Sequence, residues 1–319
     1  MVQKIIIDAD PGIGDALAVL TALVDPSLEV LGLTAAAGSV SGRQATRNLQ
    51  YLTDLIDPLK HPRIGQSELH AATGRLAVGE IPTRHSFLGV HGLGDIDVEV
   101  PDLHNRRASA KLIVDLVRES PGEVKLLTLG PLTNVVAACD LDPELPALLD
   151  GIVCLGGVDA LSGDVTAVAE FNIWADPEAA AAVMKLPTTK TFVPLDVSGD
   201  AVLTFDDIDQ LSDLTNATIN GGVLQSMLQF SVRANRQQLA FEGIPLHGVT
   251  ALAVAGRAEA FSVEAVRGGV ETVGELTRGM TVIDRRAVAT GQTNAEIVSS
   301  VDGLGVVDYF SRSFRRAAR

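Results

Sequence analysis

Short runs of residues that are apolar at consecutive positions, each followed by a longer stretch with helical periodicity, recur along this chain, and no other feature narrows its fold as much. QKIIIDAD is followed by DALAVLTALVDP, LEVLGLTAAAG by RQATRNLQYLTDLID, and VKLLTLG by LTNVVAACDL. ASAKLIVDLVRES supplies a further helix, and GIVCLGG, DPEAAAAVMKL and KTFVPLDV continue the alternation. A strand with one wet face alternates polar and apolar residues, whereas a run that is apolar throughout is covered on both faces, as in a parallel sheet sandwiched by helices. The expected fold class is therefore α/β: an open, mainly parallel twisted sheet with helices on both faces. Residues 200–262 read as mostly helical, TVGELTRGMTVID and AEIVSSVD as a late pair of strands, and the basic tail FSRSFRRAAR as a solvated helix end. No Pro-, Gly- or Ser-rich linker divides the chain, so residues 1–319 are expected to form a single domain.

Charge limits what such a sheet would bind. With 25 Lys and Arg against 40 Asp and Glu the net charge is −15, which argues against a nucleic-acid partner, because phosphate binding needs a basic surface. The two cysteines, Cys139 and Cys154, lie in apolar stretches and read as buried reduced thiols, which fits a cytoplasmic location. The first apolar run, three isoleucines, is too short for a signal peptide, and no stretch approaches the roughly 20 apolar residues of a membrane span.

In open parallel sheets ligands bind beyond the C-terminal ends of the strands. The polar residues at those ends fall at Asp8 to Asp15, Gly38-Ser39, Leu129 to Asn134 and Gly156 to Asn172, with Pro245 to Thr250 opening a late helix. The first cluster sets Asp8, Asp10 and Asp15 at the end of a strand and the start of its helix, and the strand period of two puts Asp8 and Asp10 on one face. Helix capping accounts for one acid and not for three. Acids this close repel one another unless hydrogen-bond donors or a cation compensate, so a hard divalent ion with oxygen ligands is a natural resident.

DADPGIGDALAV resembles the N-terminal DxDPGxDDAxA signature of the inosine-uridine-preferring nucleoside hydrolases, which split the N-glycosidic bond of ribonucleosides. LTLGPLTNVVAA is similar to the family's xxGPLTNxA loop, CLGG with AEFNIWADPEAA to its MGG and AEFNxxxDPEAA segments, and FVPLDVS and IPLHGVTAL to its LDVT and PxHDPxA elements. The resemblance implies a nucleoside hydrolase-like fold, a calcium ion at the base of the site and a nucleoside or ribose-like small molecule as ligand. It assigns Asp10 as the general base that activates water, and Asp10, Asp15 and the Leu129 backbone carbonyl as metal ligands, with Asp8 a further possible one. Glu170 and Asn172, with Ser39 and Asp164, would contact the sugar, and His247 would protonate the leaving base. Such types suit an oxocarbenium-like transition state, which needs carboxylates near the anomeric carbon, an activated water and help for the departing group. A homodimer or homotetramer is implied as well.

The chain departs from the signature at positions that bear on this chemistry. Gly14 replaces the second acid of the DD pair, which in the family holds ribose. Gly248 replaces the Asp that follows the His, a calcium ligand in the family. Ser39 replaces the Asn of a GN turn, Asp164 stands where the family has a ribose-contacting Asn, and in SFLGVHGLGD Leu88 replaces a His and His91 an acid. Calcium takes roughly 6–8 oxygens, and its affinity follows the number of anionic ligands, so weak or absent calcium binding is expected unless Asp164 or Asp8 swings in. Two functions follow: nucleoside hydrolysis through Asp10, or a catalytically impaired relative that binds a ribose-like ligand. A magnesium phosphatase opening on DxD is disfavoured, because GPLTN and AEFN have no role in it.

His247 has a packed histidine at a helix start as its simpler reading, and His91 reads as exposed in a Gly-rich loop. Asp176-Pro177-Glu178 reads as an N-cap with Pro in the first turn. Asn134 reads as a turn residue, and Arg233, Asn235 and Gln238 as a solvated helix face.

Overall fold

The computed structural model describes residues 2–67, 86–103, 107–215, 222–256, 260–286 and 291–317. Strands β1 (Gln3–Ala9), β2 (Leu28–Ala35), β3 (Arg63–Gly65), β4 (Val124–Thr128), β5 (Gly151–Leu155) and β6 (Lys190–Val193) pair in parallel. Two short strands, β7 (Val202–Leu203) and β8 (Ile244–Pro245), form a ribbon of their own. β9 (Phe261–Val266) closes one edge of the main sheet, antiparallel to β12 (Ala295–Val301), which is itself parallel to β6. The sheet order is β3-β2-β1-β4-β5-β6-β12-β9. The late strands differ from the pair expected: within TVGELTRGMTVID only β11 (Thr281–Ile283) is a strand, and it pairs with β10 (Gly268–Val270) rather than with AEIVSSVD.

The helices are α1 (Ile13–Val24), α2 (Gly42–Ile56), α3 (Ser109–Glu119), α4 (Thr133–Leu141), α5 (Leu145–Leu148), α6 (Phe171–Ala175), α7 (Pro177–Val183), α8 (Leu195–Ser198), α9 (Phe205–Thr215), α10 (Gly222–Leu239), α11 (His247–Gly256) and α12 (Gly303–Ala317). They cover both faces of the sheet, and the period of two along β1 sorts its side chains between them. Ile5 and Ile7 join Leu17 of α1, Leu49 of α2, Leu252 of α11 and Phe310 of α12. Ile6 faces the other way, onto Leu112 and Ile113 of α3 and Val135 of α4. The tail is more than a solvated end, since Phe310 and Phe314 are buried and meet edge to face with ring centroids 5.0 Å apart. Its last two residues lie outside the described ones.

From β1 the chain moves outward through β2 to β3, then returns to the opposite side of β1 to lay down β4 and β5. The crevice between the connections leaving β1, β2 and β4 is thus the reversal point at which an open α/β sheet binds its ligand. No helix of the described residues is long and apolar enough to cross a membrane.

Candidate active site

Two main-chain bonds carry the strand ladder past the end of β1: the Ala36 amide donates to the Ala9 carbonyl (2.8 Å) and the Leu129 amide to the Asp8 carbonyl (2.8 Å). They fix the exits of β2 and β4 against the acid cluster. Asp10 is buried there, and one of its carboxylate oxygens accepts the Ser39 backbone amide. A Cβ at Gly38 or at Gly130 would fall on this carboxylate, one on each oxygen. The glycines of the two neighbouring strand exits therefore make a cradle that no side chain could share. Ser39 reaches Asp10 through its main chain, a contact that a serine or an asparagine would make alike.

Asp8, one pleat earlier, is fully buried beneath this cradle. Its Oδ1 accepts from Thr34 Oγ1 (2.5 Å) and from Asn134 Nδ2 (2.8 Å), while Oδ2 is buried with no hydrogen-bond partner among the described residues. Burial pushes its carboxyl up to about 7, against the two hydrogen bonds and with a further push from the Asp10 charge. Asn134 is thus more than a turn residue: its amide also donates to the Ala35 carbonyl (2.8 Å), tying α4 to the exit of β2.

Asp15 lies in the first turn of α1. The Leu129 carbonyl receives Asn172 Nδ2 at 2.7 Å, which engages one of its two lone pairs. The same amide donates to the Leu155 carbonyl (3.1 Å), so Asn172 bridges the exits of β4 and β5. Glu170 is the N-cap of α6: Oε1 accepts the Asn172 amide (2.9 Å), and Oε2 accepts the amides of Ile173 (3.1 Å) and Gly157 (3.1 Å). Burial, reinforced by Asp164, pushes the Glu170 carboxyl up, while these amides favour its anion. Asp164 itself is exposed. Glu170 and Asn172 thus build the rim of the site with the atoms expected to face a sugar.

Gly14 has open space where a Cβ would stand, with no heavy atom of another segment among the described residues within 4 Å. Gly248 has none to spare: a Cβ there would lie 2.9 Å from the Gly14 carbonyl oxygen and 3.2 Å from Ala18 Cβ. Helices α1 and α11 approach through this glycine, and the acid the resemblance expects at position 248 has no room in this packing. His247, the first residue of α11, sits over α8, with Nδ1 2.8 Å from Ser198 Oγ. Burial lowers its pKa to about 4, so the imidazole is neutral at pH 7.

Further polar contacts frame the cleft. Asn48 lies on the buried stripe of α2, beside Leu49 and Leu52, and donates to the carbonyls of Pro11 (2.9 Å) and His91 (2.8 Å), pinning the 86–94 segment over the Pro11-Gly12 turn. His91 Nε2 lies 3.8 Å from Asp97 Oδ1, and Leu88 packs on Gly12. Arg233 pairs with Asp95 (2.6 Å) and Asn235 with the Gly243 carbonyl (2.9 Å). Asp176 caps α7 as expected, accepting the Ala179 amide (3.0 Å). Thr34, Asn48 and Ser198 carry this architecture without having stood out in the sequence. A polar residue on a buried helical stripe was the available signal for Asn48.

The donors that the resemblance names, Asp10, Asp15 and the Leu129 carbonyl, are all oxygens of the kind a hard divalent cation takes, although no group of three or more His, Cys, Asp or Glu side chains among the described residues is arranged to hold a metal; this is the donor set the chain offers. It supplies fewer anionic ligands than the family signature.

The family model for inosine-uridine preferring nucleoside hydrolases matches residues 5–308. A pyrimidine-specific ribonucleoside hydrolase RihA of Salmonella arizonae is 32% identical over 99% of both chains, and one of Shewanella woodyi 30% identical over the full length of both. Among solved structures, a purine-preferring ribonucleoside hydrolase from Gardnerella vaginalis superposes with a TM-score of 0.88 at 28% identity, covering 99% of each chain. An inosine-guanosine nucleoside hydrolase gives 0.84 at 25% identity, covering 100% of this chain and 99% of its own. The chain belongs to the inosine-uridine preferring nucleoside hydrolase family and is an N-glycosyl hydrolase.

Proposed function

We propose that the protein hydrolyses ribonucleosides to free base and ribose, with Asp10 as the general base for the attacking water. The observation that carries this reading is the cradle: a buried carboxylate oriented by the Ser39 amide and flanked by two side-chain-free strand exits at the sheet's reversal point. Such a carboxylate is held in place before substrate arrives, and positioning of this kind supplies much of an enzyme's advantage. Asp10, Asp15 and the Leu129 carbonyl would hold a calcium ion, which when bound supplies orientation and acidification of a water and a grip on the sugar diol. Water and sugar oxygens would complete its shell. Glu170 and Asn172 hold the β4 and β5 exits in register for the sugar, and neutral His247 donates a hydrogen bond to the leaving base.

The relatives named above differ in stated base preference. The test is product analysis: inosine and uridine, incubated with the protein and calcium, are expected to yield free base and reducing sugar in equal amounts. The second reading, a ligand-binding relative without turnover, is favoured by Gly248 closing on Gly14. It predicts calorimetric heat with ribose or nucleoside and no product.

A further inference from the structure

Ser198 and His247 come from distant parts of the chain and meet behind the cleft. Ser198 is the last residue of α8, the short helix that follows β6, and it is fully buried. Its amide donates to the Pro194 carbonyl (2.9 Å), and its own carbonyl accepts Thr250 Oγ1 (3.3 Å) from α11, so the backbone on both sides of the hydroxyl is held. Gly199 lies beside the imidazole, where a Cβ would stand 3.4 Å from Cε1. The ring therefore rests against a fixed wall, with Nδ1 2.8 Å from Ser198 Oγ.

The direction of that hydrogen bond follows from satisfying both partners. A serine hydroxyl has one proton to donate, and buried polar groups in folded proteins are almost always paired. Among the described residues the Ser198 hydroxyl has no hydrogen-bond partner other than His247 Nδ1. If Nδ1 carried the proton, the hydroxyl would accept it and its own proton would be buried unpaired. If the hydroxyl donates, both groups are satisfied and the imidazole proton must sit on Nε2. Nε2 makes no hydrogen bond to the described residues and is left for a ligand.

We propose that Ser198 is a positioning residue that locks His247 in its Nε2–H tautomer, so that the ring presents a neutral donor to the leaving base. Part of this rests on the hydrolase reading, since the base is the partner that reading supplies; the tautomer itself does not. A neutral donor stabilises developing negative charge on a departing base without first drawing a proton from solution. The tautomer is set by the hydrogen bond at the other ring nitrogen, as is general for functional histidines. Ser198 acts through His247 and touches no substrate.

The test is a long-range proton–nitrogen NMR spectrum of the full-length protein labelled with ¹⁵N histidine, at neutral pH. The His247 signals, among those of six histidines, are identified by their loss in His247→Gln. The wild-type spectrum is expected to show an unprotonated Nδ1 and a protonated Nε2. Ser198→Ala is expected to release that preference and to lower kcat about tenfold with KM little changed, the size of one lost hydrogen bond. Ser198→Thr keeps a hydroxyl and is expected to restore both. A protonated Nδ1 in the wild-type protein overturns the proposal whether or not any variant folds. An unchanged tautomer pattern in folded Ser198→Ala overturns it equally. Failure to hydrolyse any nucleoside would sink the hydrolase reading and leave the spectrum to decide the tautomer.

Discussion

Replacing Gly130 with alanine adds one methyl group against the Asp10 carboxylate. That methyl would fall on Asp10 Oδ1, 3.1 Å from Asp10 Cγ and 3.2 Å from the Asp10 amide nitrogen. Ordinary contact begins near about 3.5 Å, so the carboxylate must retreat by roughly 1 Å, and the Gly38 backbone on its other side leaves no room to do so freely. Overpacking of this kind costs about 1–3 kcal/mol of stability, too little by itself to unfold a typical domain. A displacement of about 1 Å at a reacting group costs roughly a hundredfold in rate, or about 2.7 kcal/mol of barrier. Nucleoside hydrolysis measured by base release is therefore expected to fall about a hundredfold in Gly130→Ala, with secondary structure intact by circular dichroism. Gly14→Ala is the steric control: its methyl meets no other segment of the described residues within 4 Å, so it is expected to keep activity and gain about 0.5–1 kcal/mol of stability. A folded Gly130→Ala protein that works at the wild-type rate would refute the cradle as the device that positions Asp10.

Three further outcomes are expected. Asn134→Ala removes the donor shared by Asp8 Oδ1 and the Ala35 carbonyl, and should cost about 1–3 kcal/mol in a urea titration; an unchanged midpoint would contradict the role given to Asn134. Gly248→Asp, which restores the family's acid, should lose about 1–3 kcal/mol through its clash with the Gly14 carbonyl and gain no calcium affinity by calorimetry; tighter calcium binding would show that α1 and α11 part readily. The His247 pKa falls from 6.5 unfolded to about 4 folded, so the unfolded chain takes its proton first and stability, complete above pH 6.5, drops by about 3 kcal/mol as pH falls to 4. His247→Gln should flatten that part of the stability profile, and a wild-type slope that survives the substitution would place its origin elsewhere.

The central strands were legible because burial on both faces demands continuous apolar runs, and Ile5–Ile7 of β1, Leu126-Leu127 of β4 and Ile152–Leu155 of β5 supply them. The β10–β11 ribbon was not, because its strands have three residues each and no apolar period; a turn bond from the Glu271 amide to the Met280 carbonyl (2.9 Å) helps set its register. Within the site the acids announced themselves by crowding, and the reversal of strand order explains why they lie where they do. The task of Glu170 was hidden because glutamate is not among the favoured N-cap residues, so AEFN does not read as a helix start. The Ser198–His247 contact joins residues 49 apart, and no local pattern announces it.

The central claim is that Asp10 activates the water that splits a nucleoside. Its most direct test is the rate of base and ribose release from a panel of purine and pyrimidine ribonucleosides, with calcium present, by the wild-type protein and by Asp10→Asn. Stoichiometric base and ribose are expected from at least one nucleoside, with a loss of at least about a hundredfold in Asp10→Asn. No product from any member of the panel, or hydrolysis that Asp10→Asn leaves unchanged, would contradict it.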